Sequence, residues 1–209
     1  MRVATKSWIG GACAAVLVAC ATTTVDGTWT RPGFGGTTVI GPVLVVGVAR
    51  DETLRRLFEE AVVARLGTQG LKAIPSYELV PVALERESPE RLAAAARQAG
   101  ARHMLSTAVI GHETEVSVTQ DPMWIGGMGG YRGWYGGYWG MAYPMRTDVR
   151  TYKIYVAQTS LTDVGSDRID WAARTRTTQP SNIEREVAAF ADLIAKEMTK
   201  AGLLPPPKQ

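Results

Sequence analysis

The chain has 209 residues, 45% of them apolar and 21% charged, enough for one domain with a sizeable core. Its formal net charge is only +3, and two of its 23 basic residues, Arg2 and Lys6, sit at the very start. Setting those two aside leaves 21 basic against 20 acidic residues, which removes the basic footprint expected of a nucleic-acid binder.

Arg2 and Lys6 precede a small-residue, apolar run from Ser7 to Ala19. This is the layout of a secretory signal, and the run is shorter than the roughly 20 apolar residues a membrane span needs. Leu17-Val18-Ala19-Cys20 resembles the lipobox of bacterial lipoproteins, and the resemblance implies acylation of Cys20 and removal of residues 1–19. Cys13 is the poorer candidate, because Gly10 stands where an aliphatic residue is wanted. Two or three acyl chains anchor far more firmly than one. Ala21 follows the cysteine, where inner-membrane lipoproteins of enteric bacteria carry Asp, so the resemblance implies an outer-membrane anchor with the domain facing the periplasm. No cysteine then remains for a disulfide, and the fold must hold by packing.

Residues 20–38 are rich in Thr and Gly without an apolar period and read as a lipidated flexible tether; the alternative is an ordered edge segment using Trp29 and Phe34. The domain is expected over 39–204. It opens on the aliphatic run Pro42–Ala49, which suits a strand covered on both faces. Asp51 is a helix N-cap, and Leu54, Leu57, Phe58, Ala61, Val62 and Leu66 form one stripe ended by Gly67 and Gly70. Leu71–Pro75 reads as a second strand, making a right-handed βαβ unit. Ser88-Pro89 starts a second helix with an alanine-rich interior.

A long strand is expected from Arg102 to about Val118, a returning one over Thr147–Val164, and a last one over Arg168–Thr178 after a turn at Asp163–Asp167. In that last strand Ile169, Trp171 and Ala173 fall on one face and Asp170, Arg174 and Arg176 on the other. Ser181-x-x-Glu184 matches a capping box for a final helix with the stripe Ile183, Val187, Phe190, Ala191, Ile194 and Met198. Pro205–Pro207 stop it, leaving 205–209 as a tail. The order βαβαβββα predicts an α/β (α+β) sandwich with a mixed sheet.

The loop 121–146 interrupts this pattern. Its segment 124–145 holds eight glycines, three tryptophans, four tyrosines and three methionines. Trp124, Tyr131, Trp134, Tyr135, Tyr138 and Trp139 are candidate contact residues for a membrane interface, an envelope protein or a glycan. The equal alternative is a hairpin tip that buries its own aromatics, or a loop under little selection.

A catalytic constellation cannot be assembled. His112, Glu113 and Glu115 have metal-binding residue types, but neighbouring side chains on a strand point apart. His103 reads as closing the entrance of its strand. Ser76 lacks a nucleophile elbow, and Gly33–Gly36 lacks the flanking strand and Gly-Lys-Ser/Thr of a phosphate loop. Arg50, at the C-terminal edge of the first strand, is a weak anion candidate better read as a solvated arginine beside the Asp51 cap, and the pair Arg174 and Arg176 is equally well read as a solvated outer face. No catalytic residue, metal or cofactor is expected.

The lipobox, Val45-Val46-Gly47-Val48 with Asp51, Leu54-Arg55-Arg56, Phe58-Glu59, Pro75-Ser76-Tyr77, and Trp171 with Thr175-Arg176-Thr177 resemble a family of uncharacterised proteobacterial lipoproteins. More distantly, the strand–helix–strand opening is similar to the TolB N-terminal domain, the curli-secretion lipoprotein and the lipoprotein activators of penicillin-binding proteins. The resulting expectation is a non-enzymatic, outer-membrane-anchored protein that binds or assembles an envelope component. Alternatives are a small-molecule or glycan-binding module using the edge near Arg50 and Ser76, and a cell-wall hydrolase.

Overall fold

Six consecutive buried residues, Val43–Val48, form an interior strand of a computed structural model that describes residues 22–39, 41–81, 89–114, 153–178 and 182–205. In chain order the strands are β1 (Thr22–Thr30), β2 (Val43–Val48), β3 (Ala73–Pro75), β4 (His103–Thr114), β5 (Lys153–Asp163) and β6 (Arg168–Thr178). The helices are α1 (Glu52–Thr68), the single turn α2 (Ser76–Leu79), α3 (Pro89–Gln98) and α4 (Ile183–Lys200). The sheet order is β1-β6-β5-β4-β2-β3, not closed into a barrel. β2 runs parallel to β3 and β4, and every other pair is antiparallel. Among the described residues, no helix is long and apolar enough to cross a membrane.

Alternation along β2 explains the layers. Val43 and Val45 pack with Val62 and Leu66 of α1, and with Phe190, Ile194 and Met198 of α4, around Leu105, Leu161 and Trp171. Leu44, Val46 and Val48 point the other way and pack with Leu92 and Ala96 of α3, and with Met104 and Ala108 of β4. Both faces of the parallel strands are thus covered, which is why β2 reads as an unbroken aliphatic run. Gly47 lets α1 approach: a β-carbon there would lie 2.9 Å from the Phe58 ring.

The helix signals act locally. The Leu54 amide donates to Asp51 Oδ1 at 3.0 Å, the expected cap of α1. Helices α1, α3 and α4 share one C-terminal pattern, with glycine at positive φ and the next amide donating back to Leu66, Ala96 and Met198 respectively.

Several expectations need correction. Thr22–Thr30, assigned above to a flexible tether, is instead edge strand β1, paired along its length with β6. The continuation is docked as well: Phe34 and Val39 are buried, and the Gly36 and Val39 amides donate to Ala201 and Leu203. The cap of α4 is Asn182, whose side chain accepts from the Arg185 amide at 2.9 Å; Ser181 lies outside the described residues. Ile183, placed in the buried stripe, is 57% exposed at the first helical position, while Ala195 joins the core. β4 is described to Thr114, so its expected extension to Val118 lies outside the described residues.

Candidate functional site

The C-terminal edge of β2 and β3, a common ligand position in α/β sheets, is closed by a polar network. Arg55, Glu59 and Ser76 are each fully buried. Glu59 Oε1 accepts from the Gly47 amide at 2.9 Å, the Ser76 hydroxyl at 2.6 Å and Arg55 Nε at 3.1 Å, while Oε2 accepts from the Tyr77 amide at 3.0 Å. Arg55 also donates to Ser76 Oγ and to the Val80 carbonyl. Burial pushes the Glu59 carboxyl above its ordinary range against the opposing pull of Ser76, Gly47 and Arg55. With Ser76 buried and bonded to both Arg55 and Glu59, its hydroxyl is not exposed to a ligand at this edge. The network pins α1 to β2 and α2.

Arg174 and Arg176 are engaged too. Arg176 Nε lies 2.6 Å from Asp26 and its Nη1 3.2 Å from Glu113, with Arg174 Nε 3.5 Å from Asp26. Asp26 sits where the β1–β6 register shifts between Val25 and Gly27. The pair is therefore a cross-strand charge ladder, not an open anion grip. Of the doubted metal set, Glu113 belongs to this ladder and Glu115 lies outside the described residues. Cys20 and the contact candidates Trp124, Tyr131, Trp134, Tyr135, Tyr138 and Trp139 also lie outside them.

The opposite end of the sheet holds a pocket of about 350 Å³ that the sequence reading did not find. Three strand ends build it. His103 opens β4 directly opposite Asp163, the last residue of β5, which in turn faces Arg168, the first of β6. Asp170 stands two residues further on, and it breaks register: Thr162 pairs with Ile169 and Leu161 with Trp171, leaving Asp170 as the extra residue of a bulge. Bulges re-aim side chains. Here the carboxylate, expected to face outward with Arg174 and Arg176, is only 1% exposed.

Arg31 follows β1 and is tied to Asp170 twice. Its amide donates to the Asp170 carbonyl at 2.9 Å, and its Nε to Asp170 Oδ1 at 2.7 Å. The other carboxylate oxygen lies 3.4 Å from His103 Nε2. Phe34 packs beneath, its ring 6.0 Å from the His103 ring and 5.2 Å from the Arg31 guanidinium. On the far wall Asp163 Oδ1 accepts from the Ser166 amide at 2.7 Å and its hydroxyl at 2.8 Å, and Arg168 Nε donates to the same hydroxyl at 3.3 Å. Arg102, Thr37 and Thr38 complete the rim.

Burial holds the His103 imidazole below its ordinary range although Asp170 pulls the other way, so the neutral ring is favoured. Its Nδ1 is buried without a hydrogen-bond partner. Burial alone would raise Asp163, but the Ser166 donors outweigh it and keep that carboxyl below its usual range. Ligand atoms of His103, Asp163 and Asp170 come within 4.8 Å of one another, close enough to consider a cation. Against that, Arg31 already occupies one Asp170 oxygen, and Arg102 and Arg168 also line the cavity.

No protein-family model matches the chain, and no curated protein matches it. Among solved structures it is similar to the PelC dodecamer from Paraburkholderia phytofirmans, at 16% identity and a TM-score of 0.45, over 87% of this chain and 99% of that one. It is also similar to the lipoprotein GNA1162 from Neisseria meningitidis, at 13% identity and a TM-score of 0.40, over 77% of this chain and 99% of that one. Likeness at this level transfers no function.

Proposed function

We propose that the chain is an outer-membrane lipoprotein that works by binding an envelope component rather than by catalysis, anchored at Cys20 with its domain in the periplasm. One observation carries the reading. Thr22, two residues after Cys20, lies opposite Thr178, which faces Ile154 on β5, itself opposite Glu113 on β4. The insertion 115–152 leaves and re-enters the sheet at the adjacent pair Thr114 and Lys153. Two residues reach only about 7 Å, so an acylated Cys20 would hold that whole row, and the roots of the aromatic insertion, at the bilayer surface. Tryptophan and tyrosine suit that depth, and they suit a partner held there equally well.

The test compares the native chain with Cys20→Ala by metabolic labelling with a palmitate analogue and by density-gradient separation of membranes. Label and outer-membrane co-migration in the native chain alone support the reading. An unlabelled native chain with residues 1–19 retained refutes it. Crosslinking from intact envelopes with and without residues 126–142 then asks whether the insertion carries the contact. The alternative, a periplasmic small-molecule module, draws support from the pocket at Arg31 rather than from the edge near Arg50 and Ser76. A cell-wall hydrolase is the weakest reading, since Asp163 and Asp170 are both occupied by donors from the chain itself.

A further inference from the structure

We propose that the pocket between Arg31, Arg102 and Arg168 is an oxyanion site, taking a small ligand that carries a carboxylate or a phosphate ester. The proposal goes beyond membrane anchoring and stands without it.

The charge balance favours an anion. Three guanidinium groups line the cavity against two carboxylates. Both carboxylates are already used: Asp163 by Ser166, and Asp170 by Arg31 with His103 beside it. Arg102 has no ion-pair partner among the described residues, and Arg168 has only the Ser166 hydroxyl. The positive charge left over is therefore on the rim, where Arg102 and the terminal nitrogens of Arg168 have no carboxylate partner among the described residues. A divalent cation would have to enter against all three arginines.

The site is also preorganised, which a merely solvated arginine is not. Asp170 is buried at the bulge, and desolvating a carboxylate is costly unless it is paired and hydrogen-bonded. It engages only Nε of Arg31, so both terminal nitrogens of that guanidinium remain as a fork suited to two oxygens of one oxyanion. Ser166 does the same for Arg168 from its Nε side. Below, Phe34 gives an apolar floor, and His103 Nδ1 is a buried polar atom still lacking a partner. A volume of about 350 Å³ is within the lower range of small-molecule pockets, which begins at roughly 300 Å³.

The site lies away from the proposed anchor. Thr22 and Thr30 bound β1, and its eight residue steps of about 3.3 Å separate the two ends by roughly 26 Å. A ligand would be met from the periplasmic side.

Calorimetric titration of the purified full chain in detergent, at low salt, tests this with glucuronate, glucose 1-phosphate, inorganic phosphate and glucose. At least one oxyanion should bind at millimolar concentration or tighter and weaken with added salt, while glucose gives no heat. Glucuronate binding more tightly than glucose 1-phosphate identifies a carboxylate ligand; the reverse order identifies a phosphate ester. R102Q and R168Q should each weaken that binding about tenfold, the value of one charge-assisted hydrogen bond. Both side chains sit on the exposed rim, so an unchanged melting temperature separates lost binding from lost fold. Absence of heat from all three oxyanions overturns the proposal, as does binding indifferent to R102Q and R168Q. Zinc binding that is abolished by H103A, with no oxyanion binding, also overturns it in favour of a metal site.

Discussion

A β-carbon added to Gly202 would lie 2.7 Å from the Cα of Gly36. The two residues belong to opposite ends of the chain: Gly36 to the segment after β1, Gly202 to the turn that ends α4. Their backbones touch because neither carries a side chain, and the Gly36 amide completes the contact by donating to Ala201 at 3.0 Å. The N-terminal segment is thereby clamped between β6 and the end of α4, and Arg31 is brought to Asp170.

G202A should be strongly destabilising for two separable reasons. The residue has φ of +74°, which costs an L side chain about 1 kcal/mol, and the methyl group would collide with backbone rather than with a movable side chain. G70A has the same φ penalty but meets nothing within 4 Å. Chemical denaturation of the two variants should therefore show the larger loss for G202A. Equal losses would mean that the Gly36 contact is not made.

The Arg55–Glu59 pair predicts a non-additive result. E59A leaves a buried guanidinium facing Ser76 with only the partly exposed Glu52 carboxylate, 3.3 Å from its Nη1, to balance it, a loss of up to about 3–5 kcal/mol. R55M leaves a buried carboxylate and should cost a similar amount. The double variant R55M/E59L removes both charges and should lose less than the sum of the two, with a residual loss because the Gly47 and Tyr77 amides no longer have an acceptor. Urea midpoints for the three variants read this as a double-mutant cycle, and additive losses would contradict the pairing.

The legible parts of this fold are those set by neighbours in sequence. The β2 run, the Asp51 cap, the glycine end of α1 and the bounds of β6 all rest on local periodicity or capping, whereas Gly202 ends α4 ahead of the prolines expected to stop it. The tether reading of β1 follows from a Thr-rich composition that resembles a linker, although Thr, Val and Trp all favour strands; the ordered edge segment stood only as the alternative, because the partner β6 is about 150 residues away, a pairing no local pattern encodes. Arg55 and Glu59 stand four apart, the spacing of an ordinary surface ion pair, and their partners Gly47, Ser76, Tyr77 and Val80 come from β2 and the α2 turn, which no local pattern announces. Asp170 was misassigned for a different reason. Strict alternation puts it beside Arg174, and a bulge cannot be read from alternation.

Hydrogen exchange gives a direct check on β1. Amides of this strand that donate to β6 should exchange more slowly than a flexible tether allows, by orders of magnitude, because opening them requires unzipping an eight-residue register. The amides of Gly36 and Val39, bonded to Ala201 and Leu203, should be protected as well. Exchange of residues 22–39 at the rate of an unstructured peptide would restore the tether.

The His103 site sets a pH dependence whose sign follows from its burial. Its imidazole is held below the ordinary value of 6.5 by desolvation, against the attraction of Asp170 and Asp163 and with the repulsion of Arg102. The unfolded chain therefore binds more protons there than the folded one, so stability rises with pH in that window. The contribution is complete above about pH 6.5 and is lost as the pH falls toward the lowered folded value. One group can tilt stability by at most about 1.4 kcal/mol per pH unit. Asp163 acts in a separate window: its carboxyl is held below 3.8, so its contribution persists until the pH drops under that ordinary value. Urea unfolding of the native chain should thus lose stability in two stages on acidification. H103N should remove the upper stage and leave the lower one, while D163N should do the opposite. An upper stage that survives in H103N would assign it to another group and leave the buried imidazole without a role in it.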